Sequence, residues 1–218
     1  MDKDFWHRRW QKNEIGFHMT DPHHFLQQFF PLLQTQPTDS VLVPLCGKSP
    51  DLVWLREEGL KVVGIELSRT AIEAFFDEND LPGHWTDETV LPFCSSEGYK
   101  LYCGDFFDLT ASELSGISAY YDRGALVALP PEMRVRYVAH MAALMPPGGR
   151  VLLISYSYNQ CETKGPPFSV PQQELEILFS ESFRVEILSE EDVLMSHQGL
   201  AARGVTKLME YAVLLTRK

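Results

Sequence analysis

Apolar positions change their period along this chain. Short continuous apolar runs alternate with stretches whose apolar residues recur every three or four positions. Runs of the first kind predict strands, and the second kind predicts helices packed on one face. Strands are expected at Ser40–Pro44, Lys61–Glu66, Glu97–Tyr102, Ser118–Asp122, Arg150–Ser155, Phe183–Ser189 and Leu208–Thr216. Helices are expected at about Asp51–Glu58, Ser68–Glu78, Pro130–Met145 and Pro171–Ser180, with two more at about Asp2–Lys12 and Pro22–Leu33. The punctuation agrees with these bounds. Ser68 is a natural N-cap, Gly59 a natural stop, and Pro146-Pro-Gly-Gly149 closes the helix that Pro130 opens. Arg150-Val-Leu-Leu-Ile-Ser155 is apolar at almost every position, which suits a strand covered on both faces.

Strands alternating with helices indicate an α/β fold with a mostly parallel, doubly wound sheet. With 218 residues, 44% of them hydrophobic, the chain suits one domain spanning 1–218, with residues 1–35 as an N-terminal helical extension. No internal repeat, linker or low-complexity tract interrupts it. A net charge of -11 disfavours a polyanionic partner such as nucleic acid or an anionic membrane surface. No run approaches the roughly 20 apolar residues that span a bilayer. The first residues, Met1-Asp-Lys-Asp-Phe-Trp-His, lack the apolar core of a secretory signal, so a cytoplasmic protein is expected. Cys46, Cys94, Cys103 and Cys161 form no CxxC pair and are read as reduced structural thiols. His7, His18, His23 and His24 lie close in sequence but lack supporting carboxylate or Cys spacing, so no metal is expected.

Candidate chemistry gathers after the strands, where open α/β sheets bind ligands. The first turn, Val43-Pro-Leu-Cys-Gly-Lys-Ser49, ends like a phosphate-binding loop. It has Leu42 where that motif needs its first glycine, and Pro50 follows the serine. Glu66 closes the second strand nineteen residues past Gly47, the position of an acid that holds ribose hydroxyls. The alternative for Glu66 is a solvated carboxylate at a strand end. A single glycine in the loop suits a nucleoside without pyrophosphate, and S-adenosylmethionine is one. Gly104-Asp105 follows the third strand, either beside an adenine or as an ordinary turn and N-cap. Asp122-Arg123-Gly124 follows the fourth, where the reacting atoms would lie; the alternative is a structural ion pair. Trp6 and Trp10 share a helix face near Phe17, as packed core or as a lid that excludes water.

Several strings together resemble the thiopurine S-methyltransferase family, in its bacterial branch. They are Trp6-x3-Trp10 with Gly16-Phe-His, Pro44-Leu-Cys-Gly-Lys48, Val63-Gly-Ile-Glu66, Tyr121-Asp-Arg-Gly-Ala-Leu-Val-Ala128, Gly165-Pro-Pro-Phe168 and Tyr211-Ala-Val-Leu-Leu-Thr216. The resemblance implies a class I, Rossmann-like methyltransferase fold: a seven-stranded, mostly parallel sheet with its last strand antiparallel, and an N-terminal helical lid. It implies S-adenosyl-L-methionine as cofactor, contacted by Trp10, Leu45, Glu66, Gly104, Asp105 and Arg123. Phe17 and Arg123 would meet the acceptor, with Asp122 orienting Arg123 in a catalytic pair. The implied reaction is direct, in-line methyl transfer to the sulfur of a small aromatic or heterocyclic thiol such as a thiopurine. Two alternatives share the scaffold: methylation of soft inorganic acceptors (halide, thiocyanate, selenium or tellurium species), and cofactor binding without turnover. The family often carries a basic residue in the loop before the last strand, placed to meet the acceptor; here that loop contains Arg203. Nothing demands more than a monomer acting on a small-molecule thiol.

Overall fold

The computed structural model describes residues 3–114 and 116–218. They form two compact units, the first ending at Tyr121 and the second running Asp122–Lys218.

The first unit opens with α1 (Lys3–Gln11) and α2 (His24–Phe29), the latter continued by a 3-10 turn at Phe30–Leu33. Then come β1 (Ser40–Pro44), α3 (Pro50–Glu57), β2 (Lys61–Glu66) and α4 (Arg69–Glu78). Two short strands, β3 (His84–Thr86) and β4 (Phe93–Ser96), precede β5 (Tyr99–Cys103) and β6 (Ile117–Arg123). β1 lies between β2 and β6 and is parallel to both, and β5 runs parallel to β2 on the outer side. Val41, Leu42, Val62 and Ile65 are fully buried, as expected for parallel strands covered on both faces. Ser68 caps α4 by accepting the Ala71 N–H, and Ser49 caps α3 through Asp51 with Pro50 in the first turn.

The strand count differs from expectation. All seven expected strands form, but the described residues hold nine. β4 pairs antiparallel with β5, and β3 pairs antiparallel with β4, extending this edge. Strands of three and four residues are too short to show a period-2 pattern. A tertiary contact helps to hold them: the Arg69 guanidinium of α4 stacks on Trp85 at 3.8 Å.

In the second unit, α5 (Pro131–Leu144) leads to β7 (Arg150–Ser157), α6 (Gln172–Phe179), β8 (Phe183–Asp192), α7 (Gln198–Ala201) and β9 (Met209–Arg217). β9 runs antiparallel between β7 and β8, so the last strand is antiparallel as expected. Arg134, Tyr137, Val138, Met141 and Ala142 form the buried stripe of α5 at helical spacing. Among the described residues, no helix is long and apolar enough to cross a membrane.

Candidate functional site

The first unit gathers most of the expected residues around the carboxyl ends of β1, β2 and β5. Leu45 has φ +48°, a left-handed conformation uncommon outside glycine, and Gly47 follows at φ +53°. These residues turn the chain sharply between β1 and α3, with Cys46 N–H donating to Ile65 O at 3.1 Å. The turned loop aims the Gly47 N–H at the Glu66 carboxylate, 3.0 Å away. Ser68 N–H donates to the other carboxylate oxygen at 2.8 Å. Glu66 is buried but not sealed, at 7% exposure. Burial pushes its carboxyl up to about 6, outweighing the N–H groups of Ser68, Gly47 and Leu67 that favour the charge.

Trp10 covers this loop from α1. A Cβ at Gly47 would stand 3.0 Å from Trp10 Cζ2, so only glycine lets the indole approach this closely. Phe17 packs edge-to-face on both Trp6 and Trp10, with centroids 5.7 and 5.6 Å away, yet remains 40% exposed. Gly104 N–H donates to Glu66 O at 2.9 Å, which joins the β5 turn to the end of β2. Asp105 caps the 3-10 turn Phe106–Asp108 through Phe107 N–H at 3.1 Å. It also pairs with Lys3 of α1 at 2.9 Å. Trp10, Phe17, Leu45, Glu66, Gly104 and Asp105 thus form one connected cluster.

Lys48 is turned to a different use from that of a phosphate-binding lysine: its ammonium pairs with Glu78 on α4. The donor and acceptor set therefore suits a nucleoside rather than a polyphosphate. A buried carboxylate accepts from neighbouring hydroxyls, and the glycine turn admits a close backbone approach. All four cysteines are free thiols. Burial and the nearby Glu66 raise the Cys46 thiol well above its usual range, so it is no ready nucleophile.

Asp122 and Arg123 end β6 and belong to the second unit. Asp122 is fully buried. One of its oxygens accepts Ala125 and Leu126 N–H at 3.1 and 3.2 Å; the other accepts the Tyr137 hydroxyl at 2.7 Å. Burial raises its carboxyl to about 6 against the pull of those three donors. These bonds fix the turn that follows Arg123. Arg203 donates from Nε to Thr163 Oγ1 at 3.0 Å and from Nη1 to Pro166 O at 2.9 Å.

Two contributors escaped sequence reasoning. Asp51 is fully buried and accepts His23 N–H at 2.8 Å and the Tyr121 hydroxyl at 3.1 Å, tying the N-terminal extension to α3 and β6. In sequence it looks like any acid in a first helical turn. Tyr137 looks like one more apolar position of the α5 stripe, and its hydroxyl partner lies fifteen residues away.

Solved structures share this fold. A SAM-dependent methyltransferase from Anabaena variabilis aligns with a TM-score of 0.64 at 16% identity, covering 99% of this chain and 95% of that one. The Burkholderia thailandensis 1,6-didemethyltoxoflavin-N1-methyltransferase, solved with S-adenosylhomocysteine, also gives 0.64 at 16% identity over 99% and 86% of the two chains. The fold is therefore the Rossmann-like fold of class I methyltransferases. The family profile of Thiopurine S-methyltransferase matches residues 1–218. Curated relatives of that name are 44% identical in Nitrosospira multiformis, over 99% of this chain and 98% of the relative. In Pseudomonas fluorescens Pf0-1 the figure is 42%, over 96% of each. The chain belongs to the thiopurine S-methyltransferase family.

Proposed function

We propose that this enzyme moves a methyl group from S-adenosylmethionine to the sulfur of a small aromatic or heterocyclic thiol, a thiopurine being the model acceptor. The observation that carries the reading is the buried Glu66 carboxylate, presented beside a left-handed glycine turn under Trp10. In this reading Glu66 accepts from the ribose hydroxyls, while Leu45 meets the amino-acid portion through its backbone. Gly104 and Asp105 flank the adenine, and Trp10 packs on the cofactor.

When bound, the cofactor supplies an electrophilic methyl on a sulfonium, taken in line by the acceptor sulfur. The chain's own task is alignment and exclusion of water, the source of most acceleration in such a displacement. Phe17 covers a flat acceptor with its exposed ring, backed by Trp6 and Trp10. Arg123 favours the acceptor as thiolate by its charge. Asp122 acts one step back, holding the turn after Arg123 through Ala125 and Leu126. An aromatic thiol is more acidic than a cysteine thiol, whose reference pKa is about 8.5, so it needs little help to ionise. The reading calls for no metal and no covalent enzyme intermediate. The protein works as a cytoplasmic monomer of one catalytic domain on a small diffusible acceptor, with residues 1–35 as its lid, and its charge of -11 disfavours nucleic acid.

Calorimetry with S-adenosylmethionine, then methylation of 6-mercaptopurine in the same sample, tests both halves. Binding with turnover is expected. Binding with turnover of iodide instead would move the acceptor to the soft inorganic class, and absence of binding would remove the cofactor assignment.

A further inference from the structure

Between β8 and β9 the chain leaves the sheet and makes an excursion over residues 193–208. Val193, Leu200, Val205 and Leu208 bury themselves against Tyr158, with Tyr156 and Leu194 at the margin. This small apolar cluster seats the excursion on the segment that leaves β7. Two polar ties then reach the loop beyond it. Glu162 accepts both the N–H and the hydroxyl of Thr206, at 3.0 and 2.7 Å. Arg203 spans Thr163 Oγ1 and Pro166 O with two guanidinium nitrogens.

The same loop is held from its other side. Phe168 N–H donates to Val127 O at 2.6 Å, and Val127 sits in the turn that follows Arg123-Gly124. Tyr158 donates its hydroxyl to Pro167 O at 2.6 Å. Arg134, fully buried on α5, donates to Ser169 O at 3.3 Å and pairs with Glu174. The Gly165–Phe168 stretch therefore spans the gap between the turn after Arg123 and the excursion. Both that turn and the loop leave the carboxyl ends of strands, where sheets of this class bind ligands.

We infer that Arg203 is a positioning residue: it holds the Gly165–Phe168 stretch against the turn after Arg123 and so sets which acceptor the enzyme takes. The inference rests on the function proposed above. Arg203 acts through Thr163 and Pro166, not by contact with the acceptor. The planar fork of a guanidinium fits two acceptors on one loop in a way that a lysine does not. Glu162 with Thr206 is the second brace of the same joint.

The test compares Arg203→Ala, Thr163→Val and the double variant in the full chain, with thermal unfolding of each to verify folding. Thr163→Val raises the acceptor KM about five-fold, the scale set by one exposed hydrogen bond, and Arg203→Ala, which also frees Pro166 O, raises it at least as much. The double variant adds nothing to Arg203→Ala, because Thr163→Val removes one of the two contacts that Arg203→Ala already breaks. Affinity for S-adenosylmethionine and the pH dependence of the acceptor KM stay as in the wild type. In both single variants, amide hydrogen exchange over residues 162–168 speeds up, and this readout needs no turnover. Wild-type KM in Thr163→Val, additive effects, or unchanged exchange would overturn the inference. So would a pH profile displaced by Arg203→Ala, which would place the guanidinium on the acceptor thiolate itself. Wild-type protein that binds cofactor but leaves 6-mercaptopurine unmethylated would overturn the proposed function and the acceptor role together, with exchange deciding the brace alone.

Discussion

Glu66 and Asp122 occupy equivalent places in the two units. Each is a buried carboxylate at the carboxyl end of a parallel strand, raised to about 6 by burial. Their surroundings differ. Among the described residues, Glu66 accepts from backbone N–H groups of the loops around it, and it retains 7% exposure. Asp122 has none, and a side-chain hydroxyl from α5 joins its two backbone donors. A carboxylate with an open side is available to a ligand; a sealed one with three donors holds its own turn together. Sequence position and pKa direction do not separate the two, but the partners do.

The sharpest way to break this comparison is to remove each acid in turn. Glu66→Ala is expected to weaken S-adenosylmethionine binding by at least about 100-fold, the scale of two charge-assisted hydrogen bonds to a diol. The same change strands the Gly47 and Ser68 N–H groups but also removes the desolvation cost of the buried charge, so a small stability loss of about 1 kcal/mol is expected. Asp122→Ala should do the reverse. It strands Ala125 N–H, Leu126 N–H and the Tyr137 hydroxyl, and a loss of about 3 kcal/mol in denaturant stability is expected. Calorimetry and urea unfolding on the same two variants decide the matter. Equal effects of both changes on both readouts would dissolve the distinction.

The pH dependence sharpens it further. Both carboxyls are raised in the folded protein above their unfolded values, so the native state binds more protons over roughly pH 4–6. Stability contributed by these protons is full below the unfolded values and is lost as pH rises through about 6. For Glu66 the loss is about 2 kcal/mol, at 1.36 kcal/mol per unit. In the proposed role of Glu66, cofactor affinity runs the opposite way, because the ribose hydroxyls would need the ionised form. With the carboxyl near 6, affinity at pH 5 should be about ten-fold lower than at pH 7. Calorimetry at the two values checks this, and Glu66→Gln should flatten the profile.

The smallest expected effect concerns the N-terminal segment. Trp10 on Gly47, Phe17 on Trp10, and the partly exposed Lys3–Asp105 pair hold α1 over the loop after β1. Surface pairs of that kind contribute little, so the segment should open readily. Amide exchange over residues 5–20 should slow on addition of S-adenosylhomocysteine. Equal exchange with and without it would mean that these residues are fixed core and not a closing lid.

Much of this architecture was legible from residue pattern. The seven longer strands, the N-cap at Ser68 and the antiparallel last strand follow from period, capping chemistry and family resemblance. The two edge strands did not, because His84–Thr86 and Phe93–Ser96 are shorter than the windows that reveal a period. Asp105 carried two readings in sequence, cap and adenine neighbour; the fold shows the cap and adds Lys3.

The alternation of strand and helix, the residue types at each strand end, and the family were all written in the residue pattern. Periodicity and capping are local, spanning a few residues, and a single chain records them fully. Long-range contacts made one acid sealed and left the other open. They also sent Lys48 to Glu78 and Arg203 to a loop 37–40 residues earlier. Those outcomes depend on hydrogen-bond partners distant in sequence, and distance in sequence leaves no periodic signal to read.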